Sequence, residues 1–370
     1  MRRYISTIHI PQSSIQSNGR MCQFISHYIL QKVAESPEVS QHARESAART
    51  LSIDTEVRNR RPDLHAAIVQ NPNLGNLQSV TASSGREQPS ISVYDCRNSS
   101  KLPGVRVRSD DQRVRDRVVN NAFDGLQIAD KFYSDVFAYK VPDGSWNALT
   151  GSVHFRENYN NAMWDGQQMI FGDGDGEIFD YFADSLDVIV HEITHGVTQY
   201  TANLQYEGQS GALNESISDV FACMAEQWYL DQTAEDGDWL LGQNLFPVAR
   251  KGSALRSLKK PGTAYNNDKI LGKDPQPGHM RDYNNTRDDN GGVHLNSGIP
   301  NHAFYLVATT LGGRSWDQAG HIWFKTLTDS RLRPTATFSA FAGLTVDNAQ
   351  RLYGNNVGQA VKKAWEGVGV

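Results

Sequence analysis

The segment Leu186–Tyr200, LDVIVHEITHGVTQY, constrains this 370-residue chain more than any other. Its apolar residues Leu186, Val188, Ile189, Val190, Ile193 and Val197 predict a buried helix. His191 and His195 stand four apart, so both imidazoles share one face of that helix and reach one ion. Histidines inside an apolar helix need polar partners, and a metal meets that need. Glu192, beside the first ligand, is placed to address a water on the ion. With 11 His and 13 Glu, a chance match to this spacing is expected in roughly 0.01 such chains, which disfavours an ordinary helix with surface histidines.

A catalytic zinc takes three protein ligands and keeps one open position. Gly211–Phe221, GALNESISDVF, offers the third: Glu215 and Asp219 lie four apart on an otherwise apolar helix. One can ligate the ion while the other accepts a hydrogen bond from a ligand histidine; a plain helix-surface pair is the alternative. Asp288–Gly298, DDNGGVHLNSG, places Asp289 and His294 around two glycines. Such a pair can hold an imidazole in its charged, donating form, ready to meet a developing oxyanion, or can simply close a turn.

Composition narrows the class. At 39% hydrophobic and 21% charged, with a net charge of -5, the chain suits a soluble globular protein of two or three domains. No run approaches 18 apolar residues, which argues against a membrane span. Three cysteines (Cys22, Cys96 and Cys223) cannot build a disulfide framework. Met1-Arg2-Arg3 begins like a signal peptide, but Tyr4 to Gln23 supply no apolar core. Residues 1–117 hold 17 Lys/Arg against 11 Asp/Glu, and the remainder holds 19 against 30. The basic stretches (Arg58, Arg60, Arg61; Arg113, Arg115, Arg117) lack interleaved aromatics, so no nucleic-acid partner is expected. Two parts of one chain that attract each other explain the split better.

The expected architecture is α+β and two-lobed. Residues 1–57 read as a helical leader, 58–185 as a β-rich lobe and 186–370 as a helical lobe. Residues 24–50 have helical periodicity, and 70–90, rich in Asn, Ser, Gly and Pro, read as a loop. Ile91–Tyr94, Val105–Arg108 and Gly151–Tyr159 read as strands, and 114–139 as a long amphipathic helix. Helices are expected at 187–202, 212–230, 297–312, 315–330, 337–352 and 355–367.

HEITH, GALNESISD and DNGGVHLNSG, with YNNAMWDG and GDGDG upstream, resemble the thermolysin family of zinc endopeptidases from about residue 90 to Val370. The resemblance implies a zinc helix at the floor of a cleft between the lobes. It implies His191, His195 and Glu215 as zinc ligands and Glu192 as general base, with Tyr206 and His294 as oxyanion donors and Asp289 as the partner of that histidine. Asp219 and Asn214 match acceptors for His191 and His195. Asn161, Ala162 and Arg256 match residues that hold the substrate backbone. Phe179, Phe182, Val188, Leu241 and Leu255 match an apolar pocket, so cleavage of protein or peptide substrates before Leu, Phe or Ile is expected.

Asp187, Glu226 and Asp238 match ligands of the family's paired calcium site, but Leu240 and Gln243 stand where two-ion members carry acids. One calcium at most is expected, because fewer carboxylates cannot neutralise two divalent ions. Ser253 replaces another expected aspartate, and GDGDG is too short for a calcium loop and reads as a turn. The leader, with HYILQKVA and then RESAARTL, resembles protealysin-type precursors, whose short propeptide occupies the cleft until removed. Their Pro-Pro-Tyr is here Ser26-His27-Tyr28. Residues 1–50 hold 6 Lys/Arg against 3 Asp/Glu, so the leader is expected to dock on the acidic catalytic part as a built-in inhibitor, more weakly in salt. Cys22 has the chemistry to ligate the zinc in the latent form; an incidental buried thiol is the alternative. Kinship implies a monomer exported without an ordinary signal peptide, a cytoplasmic location being the alternative. A zinc-binding scaffold or adhesin without turnover is the rival reading, and it has no use for Glu192, Tyr206 and His294.

Overall fold

The alternating stretches become strands of one mixed sheet in the computed structural model, which describes residues 22–70, 90–141, 148–248 and 253–370, with 57–70 as backbone only. Six strands form it: β1 (Cys22–Gln23), β2 (Ser90–Asp95), β3 (Val105–Arg108), β4 (Ala148–Val153), β5 (Ala162–Trp164) and β6 (Met169–Phe171). Their order is β1-β5-β6-β4-β2-β3, parallel at β2/β4 and β4/β6 and antiparallel elsewhere. Helix α3 (Arg117–Phe137) covers the sheet with Val118, Val119, Ala122, Phe123, Leu126 and Ala129. Asp116 caps its first turn by accepting from the N–H groups of Val118 and Val119.

The expected strand at 151–159 is shorter than its pattern. It ends at Val153, because His154, Arg156 and Asn158 adopt φ of 51°, 56° and 51°, which lie outside strand geometry. His154 is turned toward Asp173, and its Nδ1 lies 2.8 Å from Oδ2 of that residue. In GDGDG, Asp175 accepts from the backbone of Glu177 and Ile178 at 2.9 and 2.7 Å, the work of a turn residue.

The leader is helical as expected, but its helices begin only at His27. Cys22 and Gln23 are a strand, and Pro37 lies in a break between α1 (His27–Glu35) and α2 (Gln41–Gln70). Helix α2 runs through residue 57, the expected end of the leader, without a break. Of the expected loop at 70–90, Gln70 ends α2 and Ser90 begins β2, while residues 71–89 lie outside the described residues, as do the side chains of Arg58, Arg60 and Arg61.

The second lobe is helical: α4 (Leu186–Tyr200), α5 (Gly208–Tyr229), α6 (Asp289–Asn296), α7 (Gly298–Leu311), α8 (Gln318–Leu327), α9 (Phe338–Tyr353) and α10 (Asn355–Gly367). The predicted helices end within a few residues of these. Every residue of α4 from Asp187 to Thr198 is buried, so this helix is the centre of the core. Gly125 of α3 lets α4 approach closely, since a Cβ there would stand 2.3 Å from Cδ1 of Ile189. Among the described residues, no helix is long and apolar enough to cross a membrane.

His154 bridges two parts of the sheet lobe, with Nε2 3.0 Å from Oδ2 of Asp116 and Nδ1 on Asp173. The hydrogen bond and charge of Asp173, with those of Asp116, outweigh burial and push the imidazole from 6.5 up to about 9. A raised folded value means the contribution is fully present below about pH 6.5 and fades as pH rises through about 9. His154→Asn, which tolerates the left-handed backbone, should therefore lower Tm most near pH 6 and least near pH 10. A gap unchanged across that range would contradict the bridge.

Candidate active site

The 3.6-residue period of α4 delivers His191 and His195 to one face, and α5 packs against that face with Glu215. His191 Nε2 and His195 Nε2 are 3.0 Å apart, and each lies 3.5 Å from a carboxylate oxygen of Glu215. A tetrahedral ion with bonds of about 2.0–2.1 Å separates its ligand atoms by about 3.4 Å, so the three fit one zinc. A Cys22, His195 and Glu215 group and a His191, Glu192 and His195 group each bring their ligand atoms within 4.8 Å of one another.

The outer nitrogens of both imidazoles are held. His191 Nδ1 lies 2.8 Å from Oδ1 of Asp219, and His195 Nδ1 lies 2.9 Å from Oδ1 of Asn214. With Nδ1 turned to an oxygen in each ring, Nε2 faces the shared space and offers a lone pair there whenever the ring is neutral. Burial drives His195 down to about 3, keeping it neutral. Burial also opposes charge on His191, but the hydrogen bonds and charges of Asp219 and Glu215 prevail and lift it to about 9. A metal held at this nitrogen would have to displace a proton from His191.

Glu192 lies on the same helix, fully buried. Its Oε2 accepts from the Trp164 N–H at 2.8 Å, while Oε1 has no partner among the described residues. Burial pushes this carboxyl up to about 8, against the pull of His191. An orphaned buried carboxylate oxygen beside three ligand atoms suits a water or a cation.

Opposite this face stand Tyr206 and His294. The Tyr206 hydroxyl donates to Glu215 and lies 3.2 Å from His294 Nε2. Asp289 to Gly292 have φ of 52°, 52°, 85° and 74°, so the DNGG stretch folds back as a left-handed turn before the last turn of α6. That turn lets Asp289 hold both the backbone N–H and Nδ1 of His294, at 2.8 and 2.6 Å. Burial lowers the His294 pKa, but the charges of Asp289 and Glu215 lift it to about 9. Its ring is thus a charged donor at neutral pH.

Arg256 enters from a small two-stranded ribbon, β7 (Leu240–Leu241) with β8 (Arg256–Ser257), which the sequence pattern did not suggest. It binds Asp219 through Nε and Nη2 at 3.1 and 2.9 Å. Asn161, just before β5, and Ala162, its first residue, line the opposite wall, and all three touch the leader: Phe24 meets Ala162 and Arg256, and Ile25 meets Asn161. Phe179, Phe182, Val188, Leu241 and Leu255 are fully buried in the cluster that contains Phe24. Cys22 is buried against Tyr206 and Val293, next to the candidate metal face. The leader's Arg44 and Arg49 bond within the leader, to Val39 and Ser46, while Glu177 of the body accepts from the Ser40 N–H at 2.9 Å and is held below its usual value by that hydrogen bond and by the charges of His42 and Arg44.

Asp187 accepts from the N–H groups of Val188 and Gly242 at 2.8 and 2.6 Å, and Asp238 from Gln243 at 2.5 Å. Burial and the charges of Asp187 and Asp238 push Glu226 up to about 8. Sequence reasoning missed Asn301, which donates to Asp219 at 2.9 Å, and Gln276, which donates to the His294 carbonyl at 2.7 Å. Neither residue stands in a motif with fixed spacing.

Two family profiles together match nearly all of residues 70–370: the thermolysin metallopeptidase catalytic domain over 70–199 and its alpha-helical domain over 202–370. The chain is 49% identical to an extracellular metalloprotease of Pectobacterium carotovorum subsp. carotovorum, over 76% of this chain and 82% of that one. It is 40% identical to bacillolysin of Bacillus subtilis, over 76% of this chain and 50% of that one. The precursor of protealysin, a metalloproteinase from Serratia proteamaculans, has a solved structure that superposes with a TM-score of 0.83 at 43% identity, covering 94% of this chain and 99% of that one. With its fold, its metal-binding face and its relatives in agreement, the chain belongs to the thermolysin family of zinc metalloendopeptidases.

Proposed function

We propose that the chain is a latent precursor of a neutral endopeptidase that cuts protein and peptide substrates before bulky apolar residues. The observation that carries the catalytic reading is Glu192: a buried carboxylate with one unpartnered oxygen, set among His191, His195 and Glu215. The zinc, when bound, supplies positive charge that acidifies a water and polarises a carbonyl. Glu192 takes a proton from that water and later passes it to the leaving amine. A cation beside Glu192 lowers its pKa and so keeps it ionised to receive the proton. His294, charged through Asp289, and Tyr206 donate to the oxygen on which charge develops. Asp219 and Asn214 orient the histidines, while Asn161, Ala162 and Arg256 hold the substrate backbone. The cluster of Phe179, Phe182, Val188, Leu241 and Leu255 receives the side chain after the cut bond. The activated enzyme should release fragments of casein that begin with Leu, Phe or Ile. Glu192→Gln should retain zinc and lose two to four orders of magnitude in kcat/KM, about the worth of a positioned general base. Normal turnover in the zinc-loaded variant would rule out this mechanism.

The leader, residues 1–57, is read as an intramolecular inhibitor, supported by the likeness to a precursor and by Phe24 and Ile25 lying on Asn161, Ala162 and Arg256. The mature enzyme is proposed to act outside the cell, a reading supported by the likeness to an extracellular metalloprotease. The uncut chain should leave casein intact, and the active form should begin between residues 50 and 65. N-terminal sequencing of the active form decides this, and an active form that retains residues 22–50 would exclude the inhibitor.

One structural calcium is assigned to Asp187, Glu226 and Asp238, whose crowded negative charge already hinders ionisation of Glu226. Calcium added to the zinc-loaded chain should raise Tm by a few degrees, as any ligand selective for the folded state does. Glu226→Gln should abolish the rise, and no shift in the parent chain would remove the site.

A further inference from the structure

We propose that the leader lies in the cleft in the register of a substrate, with the Gln23–Phe24 peptide bond at the reacting position, and that the zinc-loaded chain cuts itself there. The proposal rests on the peptidase reading above and adds the identity of one bond. Strand β1 pairs antiparallel with β5, placing Cys22 opposite Trp164 and Gln23 opposite Met163. Beyond Gln23 the pairing passes to the groups expected to hold a substrate backbone. The Phe24 N–H donates to the Ala162 carbonyl at 3.2 Å, and the Ile25 N–H donates to Asn161 Oδ1 at 2.8 Å. Asn161 Nδ2 donates to the Ile25 carbonyl and Arg256 Nη1 to the Phe24 carbonyl, each at 3.1 Å.

On the other side of the bond, the Gln23 carbonyl oxygen accepts from His294 Nε2 at 3.0 Å. That is the donor set aside for a developing oxyanion, and it meets this carbonyl. The Phe24 ring lies edge-on to His191, with centroids 5.0 Å apart, and is fully buried. The Arg256 guanidinium lies over that ring, 4.5 Å from its centroid. Phe24 belongs to the same continuous core as Phe179, Phe182, Val188, Leu241 and Leu255, and Phe is one of the residues expected after a cut bond. Neighbouring bonds fit worse. A shift to Cys22–Gln23 gives the apolar pocket a polar side chain. A shift to Phe24–Ile25 presents a carbonyl held by Arg256, which also binds Asp219, instead of by His294.

The step is a hydrolysis and balances with water alone. The hydroxyl of water joins the Gln23 carbonyl carbon and the C–N bond breaks. The remaining proton goes to the Phe24 nitrogen, leaving a carboxyl group at Gln23 and an amine at Phe24. This site differs from the activating cut expected between 50 and 65, so one chain carries two separable cuts.

The full-length chain, loaded with zinc and incubated at protein concentrations spanning tenfold, tests the inference by mass analysis of the fragments. A new chain beginning at Phe24 is expected, at a fractional rate independent of concentration, and absent in Glu192→Gln. Self-cleavage elsewhere with Gln23–Phe24 intact overturns the register and leaves the peptidase reading standing. Stoichiometric zinc without self-cleavage overturns the register, and a zinc-loaded chain freed of residues 1–57 that leaves casein intact overturns the peptidase reading. Hydrogen exchange on the zinc-free chain gives a readout independent of turnover. The Phe24 and Ile25 amides should exchange slowly, and Phe24→Gly should speed the Ile25 amide about tenfold or more while the far-ultraviolet circular dichroism stays unchanged. Fast exchange of both amides in the parent chain overturns the register.

Discussion

The site depends on one buried carboxylate. Asp219 has no exposed surface, yet its two oxygens meet His191 Nδ1, Arg256 Nε and Nη2, and Asn301 Nδ2 at 2.8–3.1 Å. Burial resists its charge, but Arg256 and the hydrogen bond from His191 prevail and hold the group below its usual value. A buried charge is tolerable only when its lone pairs are occupied, and these are. The consequence reaches four elements: α4 through His191, α5 through Asp219 itself, β8 through Arg256 and α7 through Asn301. The face that receives the metal and the guanidinium that reaches the Phe24 carbonyl are therefore fixed to each other by one group.

The same carboxylate explains why two histidines on one helix behave oppositely. Both are fully enclosed, and burial disfavours charge on each. His191 faces the anion of Asp219 and is lifted to about 9, whereas His195 faces the neutral amide of Asn214 and falls to about 3. His294 repeats the first arrangement with Asp289. A neutral amide and two carboxylates, placed behind three chemically identical rings, set which ring gives up a proton readily. Glu215 completes the balance, since His294, His195 and His191 overcome its burial and keep it ionised.

Much of this was legible in the sequence wherever one helix or one turn carried the geometry. The spacing of His191 and His195 and that of Glu215 and Asp219 predict shared faces because helical periodicity is local. The two glycines of DNGG signal a backbone that only a left-handed turn accommodates, and Asp289 closes it on His294. Contacts between elements were less visible. Asn301 and Gln276 reach the site from positions set by packing, and no period marks them. The strand pattern at 151–159 was misleading past Val153, because the pull of Asp173 on His154 lies in the tertiary fold. The strand that opens the leader was hidden likewise: Cys22 and Gln23 are extended because β5 offers them partners.

Strand β5 would be an edge of the described sheet if β1 were absent. An open edge presents unpaired N–H and C=O groups, an invitation to any extended chain. For a peptidase that invitation is functional, because a substrate docks by adding a strand and its backbone then needs no particular sequence. The same generality makes the uncovered edge hazardous before the enzyme is needed. Covering it with a segment of the same chain removes the hazard at a high effective concentration and without a separate inhibitor. A segment that covers the edge by strand pairing must also present a peptide bond to the catalytic residues, because pairing fixes the register. In this chain the two demands meet at Gln23 and Phe24, where the pairing that covers the edge also brings a carbonyl to His294.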